Sequence, residues 1–383
     1  MHTSITTSML LEARQSVTRE DLLALANFHD GSAHAVSFYF SLSSSPDNSH
    51  HQEVLMIKQL VKDVAKPGAE AGVSRDLSAV VMSAEEVRHS PSRLKAVFAC
   101  YDQHIWQAFD LPAFGSVSRL DVGRHFRLAP LLQAIESSAP YCVVMIEHGK
   151  ARGFVVHGTE IQEISGRFKA EGPGLRPDDS RVGWSHRVEG NLQDRARTYL
   201  KGLSMEIHRF MEEHKHPRLV LGCRDDLWSQ LEPELLSPEK AAIIGRFHTP
   251  NFDVSPAEVL HAVRPIFEES LRKRYRDLLH KINEAPAHSA FGLDQVLDCL
   301  EQGRVQKLLL GNSSGEMITE CRQCGHLHSV SGDKCVFCGS DNIHAVLAEE
   351  ALIRKALLTE AEILLPDSNA SYGWEGVVAW LRY

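Results

Sequence analysis

No run of apolar residues in this 383-residue chain approaches the ~20 that a membrane-spanning helix needs, so the sequence predicts no span and no membrane partner. Positive charge is not in excess either: 41 Lys and Arg stand against 50 Asp and Glu, a formal net charge of -9. That balance excludes a general polyanion binder, gives no expectation of DNA as a partner, and confines phosphate contacts to local basic patches. The N-terminal stretch lacks a basic flank followed by an apolar core, which predicts a chain that is not exported and works in the cytoplasm. There is no Walker loop, dinucleotide fingerprint, HExxH or GxSxG, so the familiar nucleotide-binding and hydrolase chemistries have no motif here. Internal repeats and low-complexity tails are also missing.

What is present is enough apolar sequence, 43%, to build two or three cores at roughly 100–200 residues per domain. The first segment, 1–138, opens with a helix capped by Thr18 ahead of Leu22, Leu23 and Leu25, followed by an apolar strand over 35–42. Val54, Ile57, Leu60, Val61 and Val64 then recur at helical spacing until Pro67 and Gly68, and strands follow at 95–101 and 105–109. The second segment, 139–264, starts with two β-rich runs, 141–147 and 151–157, around a hairpin turn, and a third at 159–165. Residues 166–190 lose all periodicity and collect Gly172, Pro173, Gly174, Pro177 and Gly183, which predicts a long loop. A long amphipathic helix over 191–215 follows, its stripe carried by Leu200, Leu203, Ile207 and Phe210 and stopped by Pro217. The third segment, 265–383, joins a basic helix, a short helix closed by Gly303, a strand over 305–310, a helix over 346–358, and strands at 362–365 and 376–383. The pattern predicts an α/β (α+β) chain of three small mixed domains.

The eight cysteines divide in two. Cys100, Cys142, Cys223 and Cys299 sit singly, three of them in or beside apolar runs, and are expected to pack as small buried hydrophobes. Cys321, Cys324, Cys335 and Cys338 form two CxxC pairs, each followed directly by a glycine. Each pair can fold into a tight knuckle that aims two thiolates at one ion, and two knuckles supply a closed tetrahedral shell for one structural Zn2+. Disulfides are disfavoured by the cytoplasmic reading and by the knuckle spacing. Iron is the minor competitor, and His326 or His328 stand near enough in sequence to replace one thiol. A ribbon over 318–343 has too little apolar surface to fold without such a metal.

Two basic features are candidate RNA contacts. In the 166–190 loop, Arg181 and Arg187 offer charge and Trp184 and His186 offer stacking surfaces that suit unpaired bases. The helix in the third segment carries Arg272, Lys273, Arg274 and Arg276, a run that is either a solvated face or an rRNA or protein contact.

The order of these parts resembles a known superfamily. A strand hairpin, long loop and long helix, then the strand in "GRVQKLLL", a zinc ribbon and a terminal "GWEGVVAWLRY" are similar to the archaeal and eukaryotic class I peptide-chain release factors and their Pelota relatives. The resemblance covers the middle and C-terminal thirds; the N-terminal third matches only in coarse element order. It implies three domains in release-factor/Pelota order: the first facing the decoding centre, the middle one reaching the peptidyl transferase centre, the third contacting partner proteins. Implied partners are the ribosome, through its A site and the rRNA of both subunits, and a translational GTPase such as elongation factor Tu.

Two departures matter. The loop tip of true release factors bears Gly-Gly-Gln, whereas Arg181 to Gly190 contains none, and Gln193 stands in the expected helix without its two glycines. Those glycines permit a backbone conformation that other residues resist, so their loss predicts loss of ester hydrolysis. The stop-codon tripeptide NIKS is also missing, with Lys66 to Val73 in the comparable inter-helix position. The bacterial members that this chain then resembles, the Balon type, are hibernation factors that block the vacant A site. The resemblance therefore implies a non-enzymatic ribosome-binding factor that responds to stress. A Pelota-type rescue factor is the alternative, as is a Vms-like enzyme acting on tRNA through Gln193, His186 or Glu189.

Overall fold

The computed structural model describes residues 16–28, 34–41, 50–64, 71–86, 93–112, 118–147, 149–164, 166, 168, 186–215, 218–248, 251–311, 315–329, 332–365 and 376–383. The chain forms a mixed α+β fold divided into two compact units, one of residues 138–273 and one that joins 1–137 to 274–383.

The discontinuous unit is built around a four-stranded antiparallel sheet in the order Ile105–Pro112, Arg93–Cys100, Ala35–Ser41, Ser118–Gly123. Alternation along Ala35–Ser41 sends Val36, Phe38 and Phe40 to one face and Ala35 and Tyr39 to the other. The first face is covered by the helices His50–Val64 and Ala71–Glu86 through Ile57, Val73, Leu77 and Val80. The opposite face enters a core that also holds Leu297, Leu308 and Ile353, more than 190 residues downstream in the numbering. The N-terminal and C-terminal thirds thus share one hydrophobic core. The helix at Arg19–Ala26 carries the expected capping box, Thr18 with Asp21, a device that adds about 1 kcal/mol.

The C-terminal third supplies a second sheet, in the order Ser289–Phe291, Val377–Leu381, Val305–Leu310, Glu362–Leu364, parallel only between its last two strands. A small third sheet is the ribbon, ordered Leu327–His328, Met317–Cys321, Ile343–Leu347. The helix expected over 346–358 begins at Ala348, because Val346 and Leu347 pair with Ile318 and Met317 as the end of a ribbon strand.

The continuous unit holds a five-stranded sheet in the order Glu160–Glu163, Lys150–His157, Tyr141–Glu147, Leu219–Gly222, Ile243–Phe247. Tyr141–Glu147 and Leu219–Gly222 run parallel, and the helix His186–His214 lies in the connection between them. Cys142, Val144 and Ile146 pack on that helix's Leu200, Leu203, Ile207 and Phe210, while Tyr141, Val143 and Met145 pack on Val259, Val263 and Phe267. Covering on both faces explains why the strand reads as an unbroken apolar run. Gly153 is required by a close approach: a Cβ there would come within 2.5 Å of the Phe168 ring.

The basic helix runs from Pro256 to Glu284 through Pro265, so the expected segment boundary at 264/265 falls inside it. Its start is a second capping box, in which Ser255 Oγ accepts from the Glu258 N–H at 3.3 Å and Glu258 accepts from the Ser255 N–H at 2.8 Å. The four single cysteines are all buried, as expected of core residues.

Candidate functional site

The four paired cysteines converge. Cys321 ends the strand Met317–Cys321, and the Gly325 N–H donates back to its carbonyl at 2.8 Å. Gly339 does the same to Cys335 at 2.9 Å. Both turns need a left-handed residue after the second cysteine, and Gly325 and Gly339 sit at φ of +69 and +72. The Sγ atoms of Cys321 and Cys338 are 3.6 Å apart and those of Cys324 and Cys335 are 3.7 Å apart. A zinc tetrahedron with Zn–S bonds of about 2.3 Å has edges of about 3.8 Å, whereas a disulfide brings two sulfurs to about 2.05 Å. All four sulfurs lie within 4.8 Å of one another, so the cluster can hold one metal ion. Backbone N–H groups of Cys338 and Phe337 draw the Cys335 thiol down to about 7, toward the thiolate a metal requires. His326 does not join the shell: its ring stacks on Phe337 at 5.3 Å and its Nδ1 faces Glu301 at 3.5 Å.

Beside the ribbon lies a cluster that no local sequence pattern announces. Glu320 and His344 are direct cross-strand partners in the ribbon, and His125, 195 residues before Glu320, approaches from the turn after Ser118–Gly123. His125 Nε2 is 3.0 Å and His344 Nε2 3.6 Å from Glu320 Oε2. Arg354 donates to both Glu320 oxygens, at 3.2 and 2.9 Å. Burial pushes the Glu320 carboxyl up, but the hydrogen bond from His125 and the Arg354 charge outweigh it and hold the group at about 2. Burial also pushes the His344 imidazole down. His125, His344 and Arg354 line a cavity of about 260 Å³.

The candidate RNA contacts are distributed differently from expectation. Arg181 and Trp184 lie outside the described residues. His186 and Arg187 belong to the first turn of the long helix, which starts at His186 and not after Gly190. On the basic helix, Lys273 and Arg276 are exposed, and Arg272 is exposed but paired along its own helix with Glu268 at 3.8 Å and Glu269 at 3.2 Å. Arg274 leaves the patch altogether, held by Glu136 at 3.1 Å and by Glu362. A side chain committed to two carboxylates of its own fold serves as a fastener, a correction that a run of four cations in sequence conceals.

Residues 127–279, which include the whole continuous unit, match the model of bacterial archaeo-eukaryotic release factor family 10. The match covers less than half of the chain and is a likeness to a release factor family. Among curated protein sequences none matches the chain significantly. Solved structures similar to this chain include archaeal translation termination factor aRF1, with 14% identity and a TM-score of 0.26 over 97% of this chain and 100% of that one. Archaeal Pelota, described as ribosome-bound with ABCE1, has 12% identity and a TM-score of 0.39 over 96% and 95%. Dom34 of S. cerevisiae, described as a translation termination-like factor that interacts with Hbs1, has 12% identity and a TM-score of 0.40 over 97% and 92%. Scores this low leave those likenesses without weight of their own.

Proposed function

We propose that the chain is a ribosome-binding factor that occupies the A site without hydrolysing peptidyl-tRNA, as a hibernation factor does. One coincidence carries the reading: residues 127–279 match a release factor family, yet the 166–190 segment inside that match has no Gly-Gly-Gln. Hydrolysis needs a water held in attack geometry, where a misplacement of about 1 Å costs on the order of 100-fold, and the segment lacks the group that resemblance assigns to that task.

In this reading three domains, 1–138, 139–264 and 265–383, face the decoding centre, the peptidyl transferase centre and partner proteins in turn. Arg181, Trp184, His186 and Arg187, with Arg272, Lys273 and Arg276, contact rRNA by stacking and charge. Cys321, Cys324, Cys335 and Cys338 hold one structural Zn2+, which folds the ribbon and leaves no open coordination position. A translational GTPase such as elongation factor Tu is the delivering partner, and the setting is the cytoplasm of stressed cells.

The test uses ribosomes that carry labelled peptidyl-tRNA. The purified protein should release no peptide above background and should compete with aminoacyl-tRNA, and Trp184→Ala with Arg187→Ala should weaken that competition. Release that depends on Gln193 or His186 assigns the protein to the enzymes instead. Subunit splitting with an added ATPase assigns it to rescue.

A further inference from the structure

We propose that His125, Glu320 and His344 form a second metal site, distinct from the four thiolates, that takes one divalent transition ion such as Zn2+ through two imidazole nitrogens and one carboxylate oxygen. The ribbon register puts Glu320 opposite His344 on one face of the sheet, so two of the ligands are neighbours by construction. His125 closes the set, its ring stacked near that of His344 at 6.3 Å and 26°. The three ligand atoms lie within 4.8 Å of one another. A tetrahedral ion with N and O ligands at about 2.0–2.2 Å holds them about 3.3–3.6 Å apart, and the contacts to Glu320 Oε2, at 3.0 and 3.6 Å, bracket that spacing.

His344 supplies the decisive oddity. Its side chain is 13% exposed, yet neither ring nitrogen has a hydrogen-bond partner. Buried polar atoms are rarely left so, because each has given up water for nothing. An ion at the centre of the cluster engages Nε2, which sits too far from Glu320 for a hydrogen bond and at a suitable distance for a shared metal.

The surroundings are those a metal ligand needs. Arg354, 5% exposed, fixes the Glu320 carboxylate through both of its oxygens. His125 Nδ1 lies 3.3 Å from the Phe28 carbonyl and 3.1 Å from Arg354 Nη1. Without an ion, Nδ1 accepts from Arg354 and Nε2–H points to Glu320. When an ion binds, the ring proton moves from Nε2 to Nδ1 and is taken by the Phe28 carbonyl, which frees the Nε2 lone pair while Arg354 keeps its grip on Glu320. The cavity that His125 and His344 line leaves room for water as a fourth ligand. Because three protein ligands leave one coordination position open beside a guanidinium charge, this site is weaker and more exchangeable than the closed thiolate shell.

The full-length protein, dialysed against a mild chelator so that only the thiolate ion stays, should take up one further equivalent of Zn2+ in a calorimetric titration. His344→Ala should abolish that equivalent, and a single cooperative melting transition of the dialysed variant should show that it still folds. Arg354→Lys, which keeps the charge but loses the two-point hold, should weaken the second equivalent by about 10–100-fold. A wild type that takes up no further ion, or a His344→Ala variant that titrates as the wild type does, overturns the proposal.

Discussion

Glu350, on the helix Ala348–Leu358, accepts the backbone N–H of Leu128 at 2.8 Å across 222 residues of sequence. The Ala129 N–H also points to it, at 3.4 Å, so this carboxylate caps the start of the helix Ala129–Ser137 from the far end of the chain. Arg127 Nε stands 3.4 Å from the same group. Burial nevertheless wins over these partners and pushes the Glu350 carboxyl up to about 7.

That value fixes the sign of a pH effect. Between the unfolded carboxylate value of about 4.3 and about 7 the folded chain binds the extra proton, so the Glu350 contribution to stability falls as pH rises through that window, by up to about 4 kcal/mol. Glu350→Gln keeps an acceptor for Leu128 and does not titrate. Urea midpoints at pH 5 and pH 8 should show the wild type losing stability relative to Glu350→Gln; parallel behaviour of the two proteins contradicts the assignment.

Arg354 and Glu320 form a buried pair, 5% and 3% exposed. Arg354→Met should cost about 3–5 kcal/mol at neutral pH, because it strands an ionised carboxylate. Adding Glu320→Leu should restore most of the loss. A double variant as unstable as the single one shows that packing, not charge, dominates there.

Removal of the ion proposed for the four thiolates should loosen the ribbon and spare the continuous unit, whose cores contain none of the four cysteines. Limited proteolysis after chelation should cut first between 318 and 343, with hydrogen exchange over Tyr141–Glu147 unaffected. Elemental analysis of a Cys324→Ser/Cys338→Ser variant should find the thiolate-held ion gone.

Pro265 is exposed within a helix whose register it interrupts by removing one N–H donor. Pro265→Ala should raise stability by about 1–2 kcal/mol, the helix gain less the entropy returned to the unfolded chain. A loss instead would mean that the interruption itself shapes the packing of Val259, Val263 and Phe267.

Sequence carried the central strands well, since Tyr141–Glu147 is a buried run up to its last residue and Val305–Leu310 ends in three buried leucines. It also carried the knuckles, where chemistry and spacing are local. The helix Ala71–Glu86 is harder to read although Val73, Leu77 and Val80 hold a helical stripe, because Pro67 and Gly68 signal an ending just before it and no capping residue marks its start. The Ser255 to Glu258 capping box is a local signal of the same kind. His125, Glu320 and His344 had no such signal: their meeting depends on one core shared by the two ends of the chain, and no window of residues contains it.

That shared core sets an order of events during synthesis. A ribosome adding about 5–20 residues per second needs roughly 10–40 s to pass from the end of the first 137 residues to Glu350. Throughout that interval the sheet bearing Phe98 and Tyr39 has one face without its downstream partners, while 138–273, whose cores are its own, can close as soon as it emerges. The middle of the chain can therefore complete its cores before its beginning does, which leaves one apolar face of the nascent N-terminal sheet uncovered until the C-terminal third is made.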